Sequence, residues 1–585
     1  MAVQTHPENV KDSGALNRES SFLSRVENKW NAIQVGRQGE YSIERVESLD
    51  HYCKTASKTR VLLVCILTPV PALAVAIMLE MMPLQDPSKG WDANWIFWIR
   101  LTVIIFILTC MGMFQLRRLV LGLPVTFGKI MTISSVVSAI FTGFAVLLAA
   151  LVGFPVPFVM VVGGIPFAIT LGVVLVLMFG IAPFRYNSPL RVHLAKFLQF
   201  LVVRLNLVAI YPLFKVLYAF APAKSQGFVM LLLPVWKFVA KKYVGRAMRE
   251  LEDYIPQIVG FNVDYFSTLF VSVCMFSSGS VLMTVLAIVV DIAFSLLEYR
   301  ELQTNANTVY NLLRDNKNWS KSHLCNHTSE DLLTLLLEVT RNPEAHDVIS
   351  LPNVRLWACE PHPISSDRLE ILKTLATLDV YGFRPAHSTA SKAHISFFSK
   401  PLRKLQTRHV SVAATGPVST VVTKSNSLRS PRASVSNTQL IAGADRSETL
   451  INQGLQLLFH SEYLLVVEYI ECIVPIVFVA YQLVLYQLPN VVYAPGGAEG
   501  WQSGAVENIL LLIVLEVCSL LVLKVLLERK FAFSPLHQLA YVLETQLEHV
   551  QADVFIATII LLPFEINHFG MDFTFQFEWF RATSE

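Results

Sequence analysis

The stretch Glu462–Leu488, "EYLLVVEYIECIVPIVFVAYQLVLYQL", decides the class of this fold. From Tyr469 onward it is apolar and long enough to cross a bilayer, because a spanning helix needs about 20 apolar residues. Three carboxylates, Glu462, Glu468 and Glu471, stand at its leading edge, although a carboxylate in hydrocarbon is costly. The question they raise is whether they lie in water, at the headgroups or inside a helical bundle.

The whole chain has the composition of a membrane protein. Its 585 residues are 53% hydrophobic and 16% charged, with a mean hydropathy of +0.50, whereas soluble domains average about 25% charged residues. The net charge of +3 is too small to indicate nucleic-acid binding. The eight cysteines are scattered without a CxxC motif, so no disulfide framework is expected. Residues 1–50 are polar and lack the apolar segment of a cleavable signal peptide.

Apolar length predicts an all-α polytopic membrane protein with about eight transmembrane helices. The predicted spans are Val61–Leu79, Trp95–Leu116, Ile130–Val152, Phe158–Ala182, Gln257–Phe276, Ser280–Glu298, Glu468–Leu488 and Ala505–Leu527. Lys and Arg accumulate on the cytoplasmic side of membrane proteins, and here they alternate with the spans, as at Arg117 and Arg118 after the second. We therefore expect six spans, a cytoplasmic insert and two further spans. Both termini are predicted to be cytoplasmic, in the plasma membrane or an endomembrane.

Residues 192–250, within the membrane domain 51–300, carry apolar runs interrupted by Arg204, Pro212 and Lys215 and closed by a basic end. This pattern favours a re-entrant or interfacial helical pair, whose basic end, from Trp236 to Arg249, would face acidic lipid headgroups. Two complete spans would preserve the same orientation of the rest of the chain.

The remaining segments are polar or ambiguous. Residues 301–383 read as a small cytoplasmic helical module, and 384–454 as a disordered, basic, Ser/Thr-rich linker. Within 531–585, which follows the two-span hairpin at 455–530, the run at 554–564 is short for a span. It is predicted to be interfacial or docked on the bundle, so the C-terminal segment is cytoplasmic or membrane-docked. The alternative is a full ninth span.

Glu471 and Glu516 are the first pair of candidate functional carboxylates. They lie on consecutive antiparallel spans, so they could reach similar depths and bind a cation or relay protons. Alternatively, the true span begins near Ile470, which leaves Glu471 at the headgroup boundary, and Glu516 pairs with Lys524 or a neighbouring helix. For Glu462 and Glu468 the water-exposed interpretation is preferred.

Asp264 and Asp291 form the second pair. Counted from the "SSG" turn between the fifth and sixth spans, they stand at nearly equal distances, about 18 Å along each helix. Two carboxylates at one depth are unlikely both to be charged unless they hold a cation or share a proton. The alternatives are hydrogen bonding by protonated Asp, or a pairing with Arg204.

Other motifs carry weaker signals. Ser430 and Ser434 lie in a basic stretch typical of regulatory phosphorylation sites. The soft ligands of "HLCNH" and "CEPH" have a spacing unlike a zinc finger, so no metal site is predicted. No catalytic or cofactor-binding motif is present, so no catalytic residue and no cofactor are assigned. Asn318 and Asn326 head glycosylation sequons that would stay unmodified in a cytoplasmic loop.

Two stretches resemble a large family of multi-pass membrane proteins of oomycetes. They are "HYCKTASKTRVLLVCILTPVPALAVAIMLEMMPLQDPSKGW" at 51–91 and "HSEYLLVVEYIECIVPIVFVAYQLVLYQLPNVVYAPG" at 460–496. The resemblance covers both membrane blocks and is weaker in the linker. It implies a multi-pass membrane fold and, because that family has no assigned activity, no functional residue.

The sequence therefore favours transport of a small solute or cation through a helical bundle in the lipid bilayer, using Asp264, Asp291 and Glu516. The alternative is a non-transporting scaffold or sensor that binds cytoplasmic proteins through residues 301–454.

Overall fold

The computed structural model describes residue 36 and residues 39–570 with internal gaps. Those gaps are 121, 223–225, 279–280, 316–331, 344–350, 360–361, 378–379, 383–432, 495–496, 498–502, 532 and 564–565. In parts of several helices the description covers the backbone alone.

The described residues are almost entirely helical. The helices are α1 Ile43–Thr55, α2 Lys58–Leu67, α3 Val70–Glu80, α4 Trp95–Leu119, α5 Phe127–Val152, α6 Val159–Val162, α7 Gly164–Phe179, α8 Leu190–Phe220, α9 Gln226–Ala247, α10 Ile255–Val259, α11 Tyr265–Ser278, α12 Val281–Asp315, α13 Leu332–Arg341, α14 Ser366–Ala376, α15 Ala433–Leu485, α16 Ser503–Phe531, α17 Pro535–Thr545 and α18 Leu547–Leu561. Short strands β1 Leu351–Arg355 and β2 Tyr381–Gly382 pair in parallel.

Seven helical segments of the described chain are long and apolar enough to cross a membrane. They are Lys58–Glu80, Trp95–Leu119, Phe127–Val152, Val159–Phe179, Leu251–Phe276, Glu448–Leu485 and Val506–Phe531. Each matches a predicted span, which confirms the polytopic α-helical class. The other predicted span, Ser280–Glu298, falls at the start of α12, where several side chains lie outside the described residues.

Two of these segments form the centre of the bundle. In Leu251–Phe276 and Glu448–Leu485, 83% of the most apolar window is buried, against 22–50% in the others. The outer helices expose large apolar side chains such as Leu147, Leu177 and Val514. A broad exposed apolar surface of this kind indicates contact with a lipid bilayer.

The bundle has two distinguishable ends. At the basic end, Arg117 and Arg118 pair with Glu548 across helices, with N–O distances of 2.7 and 3.0 Å. At the opposite end, the buried Glu80 pairs with Arg100 and accepts a hydrogen bond from Tyr481. The second span joins the two, since α4 carries Arg100 near its start and Arg118 near its end.

Part of the pair α8–α9 packs against α11, as a re-entrant pair or two complete spans would. Trp236 stacks edge-on against Phe266 and Phe214, and Phe214 packs against Phe270, with ring centroids 5.1–5.9 Å apart. The opposite face of the pair exposes apolar side chains such as Phe220 and Val235.

Helix α18 also runs through the bundle. Glu548 lies at the basic end, Thr558 Oγ1 is 2.8 Å from the hydroxyl of Tyr265, and the ring of His568 is hydrogen-bonded to the carbonyl of Gln85 at the opposite end. The carbonyl of Gly570 accepts a hydrogen bond from the amide of Phe158. The described part of the run at 554–564 is enclosed by the bundle, which fits the docked alternative.

The described chain ends at Gly570, at the opposite end of the bundle from Tyr41 and α1. The prediction that both termini are cytoplasmic concerns residues 1–35 and 571–585, which lie outside the described residues. The position of Gly570 divides the predicted C-terminal segment: α17 lies at the basic end, and α18 leads away from it.

The predicted cytoplasmic module is docked on the basic end. Glu47 of α1 is fully buried and accepts hydrogen bonds from Arg341 on α13 and Arg368 on α14, at 2.6–2.9 Å. The carboxylate of Asp253 pairs with Arg355 at 3.1 Å and with Arg45 at 3.7 Å. The polar N-terminal segment is therefore part of the core from residue 39. The predicted linker ends before Ala433, where α15 begins, and 384–432 lies outside the described residues.

Candidate functional site

The carboxylates at the leading edge of Glu462–Leu488 lie on one continuous helix, the 53-residue α15. Glu462 is 1% exposed and pairs with Arg45 at 2.6 Å, while the hydroxyl of Tyr41 donates to its other oxygen. Burial and the negative charge of Glu462 raise the pKa of Tyr41 well above its usual value, so the phenol keeps its proton. Both Glu462 and Glu468 are buried by protein, and the water-exposed interpretation was wrong.

Three glutamates meet on the facing sides of α15 and α16. One carboxylate oxygen from each of Glu468, Glu471 and Glu516 lies within 4.8 Å of the others. All three side chains are at least nine-tenths buried. Oxygen ligands at this spacing suit a hard cation or a shared proton. The predicted convergence of Glu471 and Glu516 is therefore present.

Asp264 extends this group through two lysines. Nζ of Lys237 lies 2.9 Å from Oδ1 of Asp264 and 2.5 Å from Oε1 of Glu471. Nζ of Lys241 lies 3.0 Å from the same Asp264 oxygen and 3.8 Å from Glu298. We call Asp264, Glu468, Glu471, Glu516, Lys237 and Lys241 the midplane cluster.

Local sequence explains the position of Asp264. It ends a π-helical turn, Gly260–Asp264, which interrupts the span between α10 and α11. A β-carbon on Gly260 would come within 2.8 Å of Ile470, so glycine allows the turn to pack directly on α15. A π turn shifts the following side chains around the helix axis and occurs often at functional sites.

Pro475 modifies α15 beside the cluster. Proline has no N–H, so the helical hydrogen bond to the carbonyl four residues earlier, that of Glu471, cannot form. The main chain at Glu471 therefore departs from the regular ladder at the same residue that supplies a buried carboxylate.

The cluster lies about halfway through the bundle. The hydroxyl of Tyr469 donates to the carbonyl of Cys65, near the start of the first span, and Tyr481 contacts Glu80 at that span's other end. Glu471 lies between them and is separated from Tyr481 by about 15 Å of helix. That distance is about half the hydrocarbon thickness of a bilayer.

Acidic groups outnumber ammonium groups among the residues named in this region. Glu298, whose Oε1 lies 3.8 Å from Nζ of Lys241, adds a fifth carboxylate beside the cluster. Buried carboxylates are costly unless they are paired, hydrogen-bonded or protonated.

The structure places the remaining predicted residues differently. The backbone of Asp291 lies in α12, and its side chain is outside the described residues. Arg204 pairs with Asp553 and also donates to Gln115 and Asn262, at 2.8 and 3.0 Å, so it does not pair with Asp264.

Within the described residues, neither the candidate phosphorylation sites nor the candidate His and Cys metal ligands form a cluster. Ser430 lies outside them, and Ser434 is in the first turn of α15 with only its backbone described. The loop histidines of "HLCNH" also lie outside them. Cys359 and His362 are held by their main-chain amides, which donate to Asp253 and Glu44. No role for any predicted site residue is tested by these positions.

Sequence reasoning missed the two lysines. Lys237 and Lys241 were expected at the headgroups, but both point into the bundle. They are spaced i,i+4 and therefore share one helix face. Lys241 also lies 5.3 Å from the ring of Tyr463. Two cations on one face of an apolar helix were the available signal that acidic partners lay opposite.

Fold and site together define a multi-pass α-helical membrane protein with a buried ionisable cluster between its central helices. Comparison of the chain with protein-family models, with curated proteins and with solved structures gave no match.

Proposed function

We propose that the protein transports protons or a small cation across the membrane and that the midplane cluster is its binding site. The observation that carries this proposal is the approach of Glu468, Glu471 and Glu516 to within 4.8 Å at mid-depth. Intramembrane carboxylates facing a bundle interior are typical of ion and proton pathways.

The lysines supply a mechanism for coupling. When Asp264 and Glu471 are ionised, Lys237 bridges them and holds α9 against α11 and α15. Protonation or cation binding at Glu471 weakens that bridge, because the lysine then meets a neutral or already neutralised partner. Ligand binding is thereby linked to the position of the α8–α9 pair.

The topology proposed with this function has eleven crossings. To the seven apolar segments it adds α8, α9, the first half of α12, and the segment from α18 to Gly570. An odd number of crossings puts the two ends of the chain on opposite sides. The distribution of Lys and Arg supports a cytoplasmic basic end, so Gly570 is proposed to lie at the external end of the bundle.

The test is uptake in proteoliposomes. Purified wild-type protein is reconstituted with a pH-sensitive dye inside, and a proton, Na⁺ or K⁺ gradient is imposed. Glu471→Gln and Glu516→Gln are each expected to reduce flux at least about tenfold, because each removes a charged group that makes charge-assisted contacts. Glu507→Gln is the matched control, since this exposed residue lies on the same helix as Glu516.

Asp264→Asn and Asp291→Asn separate the two pairings. The geometry of the midplane cluster predicts a large loss of flux for Asp264→Asn. If Asp291 also takes part, as the sequence-based pairing with Asp264 proposes, Asp291→Asn is expected to lose flux as well. Wild-type flux equal to that of empty vesicles for all three ions would reject the proposal.

A non-transporting scaffold or sensor is the second candidate. The observation that favours it is the docking of α13 and α14 on α1 through Glu47, which holds these two helices in a fixed position at the basic end. Flux that is absent from wild type, together with stoichiometric capture of a cytoplasmic protein that is lost in Glu47→Gln, would establish this alternative.

A further inference from the structure

A second potential binding site lies at the basic end, away from the midplane cluster. A cavity of about 510 Å³ opens between α1, α17, the first span and the end of α4. Its polar lining residues are Tyr52, Arg60, Arg118, His362, Glu544, Thr545 and Gln546. This volume falls in the range of small-molecule and headgroup sites.

The cavity lies where a span emerges from the bilayer. Arg60 stands in the first turn of the first span, and Arg118 in the last turn of α4. Both arginines mark the same end of two spans that pack against α18, so the cavity lies at the level where these spans leave the apolar region. Basic pockets between transmembrane helices at this depth can bind anionic headgroups.

Its arginines are already held in position by carboxylates. Glu544 accepts from Nε of Arg60 at 3.2 Å and from the hydroxyl of Tyr52 at 2.7 Å. Although burial opposes ionisation, the hydrogen bonds from Arg60 and Tyr52 hold the pKa of Glu544 below its usual value. The carboxylate therefore orients Arg60 and also competes with any anion that approaches it.

Two polar atoms of the lining are buried without a hydrogen-bond partner among the described residues. They are Oε1 of Gln546, whose residue is 5% exposed, and Nε2 of His362. Burial and the charge of Arg45 lower the pKa of His362 to about 4, so its ring is neutral at physiological pH. An acceptor and a neutral imidazole suit hydroxyl groups, because buried polar groups are normally paired.

We propose that this cavity binds a phosphate-bearing polyol, the chemistry of a phosphorylated inositol headgroup. Arg60 and Arg118 contact the phosphate, with the planar guanidinium fork matching its oxygens. Gln546 and His362 pair with ring hydroxyls. The lipid-linked form is favoured by the position of the cavity at the bilayer surface.

Binding is measured on the full-length protein in detergent. The probes are short-chain phosphatidylinositol bisphosphate, phosphatidylcholine of the same chain length and soluble inositol trisphosphate. Arg60→Gln and Arg118→Gln are expected to weaken bisphosphate binding about tenfold each. Arg529→Gln, an exposed arginine at the same end of α16, is the matched control and is expected to change binding less than twofold.

Glu544→Gln distinguishes a specific effect on binding from a loss of binding caused by misfolding. Removal of the competing carboxylate is expected to tighten bisphosphate binding several-fold, an effect opposite in sign to structural damage. Binding of the lipid probe alone assigns a membrane lipid, and binding of both phosphorylated probes assigns the headgroup itself. The proposal is overturned if phosphatidylcholine binds equally well, or if Arg529→Gln weakens binding as much as Arg60→Gln.

Discussion

Nζ of Lys237 lies 2.5 Å from Oε1 of Glu471 and 2.9 Å from Oδ1 of Asp264, so one lysine joins the central helix α15 to the π turn before α11. Asp264 is 0% exposed and the Lys237 side chain 23%. The ammonium group thus sits at the edge of the buried carboxylates and partly neutralises them.

Removal of this lysine is expected to destabilise the protein. Lys237→Met leaves the four carboxylates of the midplane cluster with Lys241 alone, and uncompensated buried charge costs about 3–5 kcal/mol. Partial exposure of Lys237 reduces this to about 2–3 kcal/mol. The measurement is thermal unfolding in detergent, with Lys242→Met as the control from the same helix.

The double variant tests the pairing itself. Lys237→Met combined with Glu471→Gln removes a charge of each sign, so it is expected to be more stable than Lys237→Met alone. If the loss of stability in the double variant equals the sum of the losses in the two single variants, a direct interaction is contradicted, because the effects of contacting residues are not additive.

The position of the C-terminus gives a topological prediction. With Gly570 at the opposite end from α1, Ser584→Cys is expected to react with a membrane-impermeant maleimide on intact cells that express the protein at their surface. Ser13→Cys, in a background without other reactive thiols, is expected to react only after permeabilisation. Labelling of both positions only after permeabilisation would exclude the odd number of crossings.

Docking of the module at residues 332–382 depends on one buried carboxylate. Glu47→Gln weakens the ion pairs to both Arg341 and Arg368, so faster deuterium exchange is expected in α13 and α14. Glu370→Gln, an exposed change on α14, serves as the control and is expected to leave exchange unchanged. Equal exchange in both variants would show that apolar packing, such as Leu336 against Gly454, holds the module alone.

His362 makes stability depend on pH. Its folded pKa is lowered from 6.5 to about 4 by burial and by Arg45, so between these values the unfolded chain binds a proton that the folded chain does not. Stability therefore falls as the pH drops from 6.5 to 4, by no more than about 3.5 kcal/mol in total, at about 1.4 kcal/mol per pKa unit.

The variant His362→Gln is expected to flatten this dependence. Melting temperatures measured across pH 4–7 provide the comparison with wild type. An unchanged slope in the variant would assign the acid sensitivity to other groups.

Hydropathy predicted the spans because lipid contact selects for long apolar runs, as at Val506–Phe531. It was less decisive for α18, whose 15 residues are short for a span and whose apolar side chains are largely enclosed by protein. Hydropathy also placed Glu468 in water, because it assumes that a helix leaves its buried environment where the apolar run ends. Here the helix continues into protein beyond that point.

Pairings between distant segments were the least predictable part of the site. Lys237 and Asp264 lie opposite each other because of the way the α8–α9 pair folds. Apolar periodicity identifies that region only as a short basic segment. The hairpin count that matched Asp264 with Asp291 gave the depth of Asp264 but not the lysines beside it.

Pro475 lies four residues beyond Glu471 on the longest helix of the described chain. Bending of long helices concentrates at proline, so α15 has a pivot directly above the acids. The part of α15 before Pro475 is anchored to the basic end through the pairing of Glu462 with Arg45. The part after Pro475 carries Tyr481, which contacts Glu80 at the opposite end. A change of the bend at Pro475 would move the part of α15 beyond it, while the part that carries Glu468 and Glu471 stays fixed to the basic end.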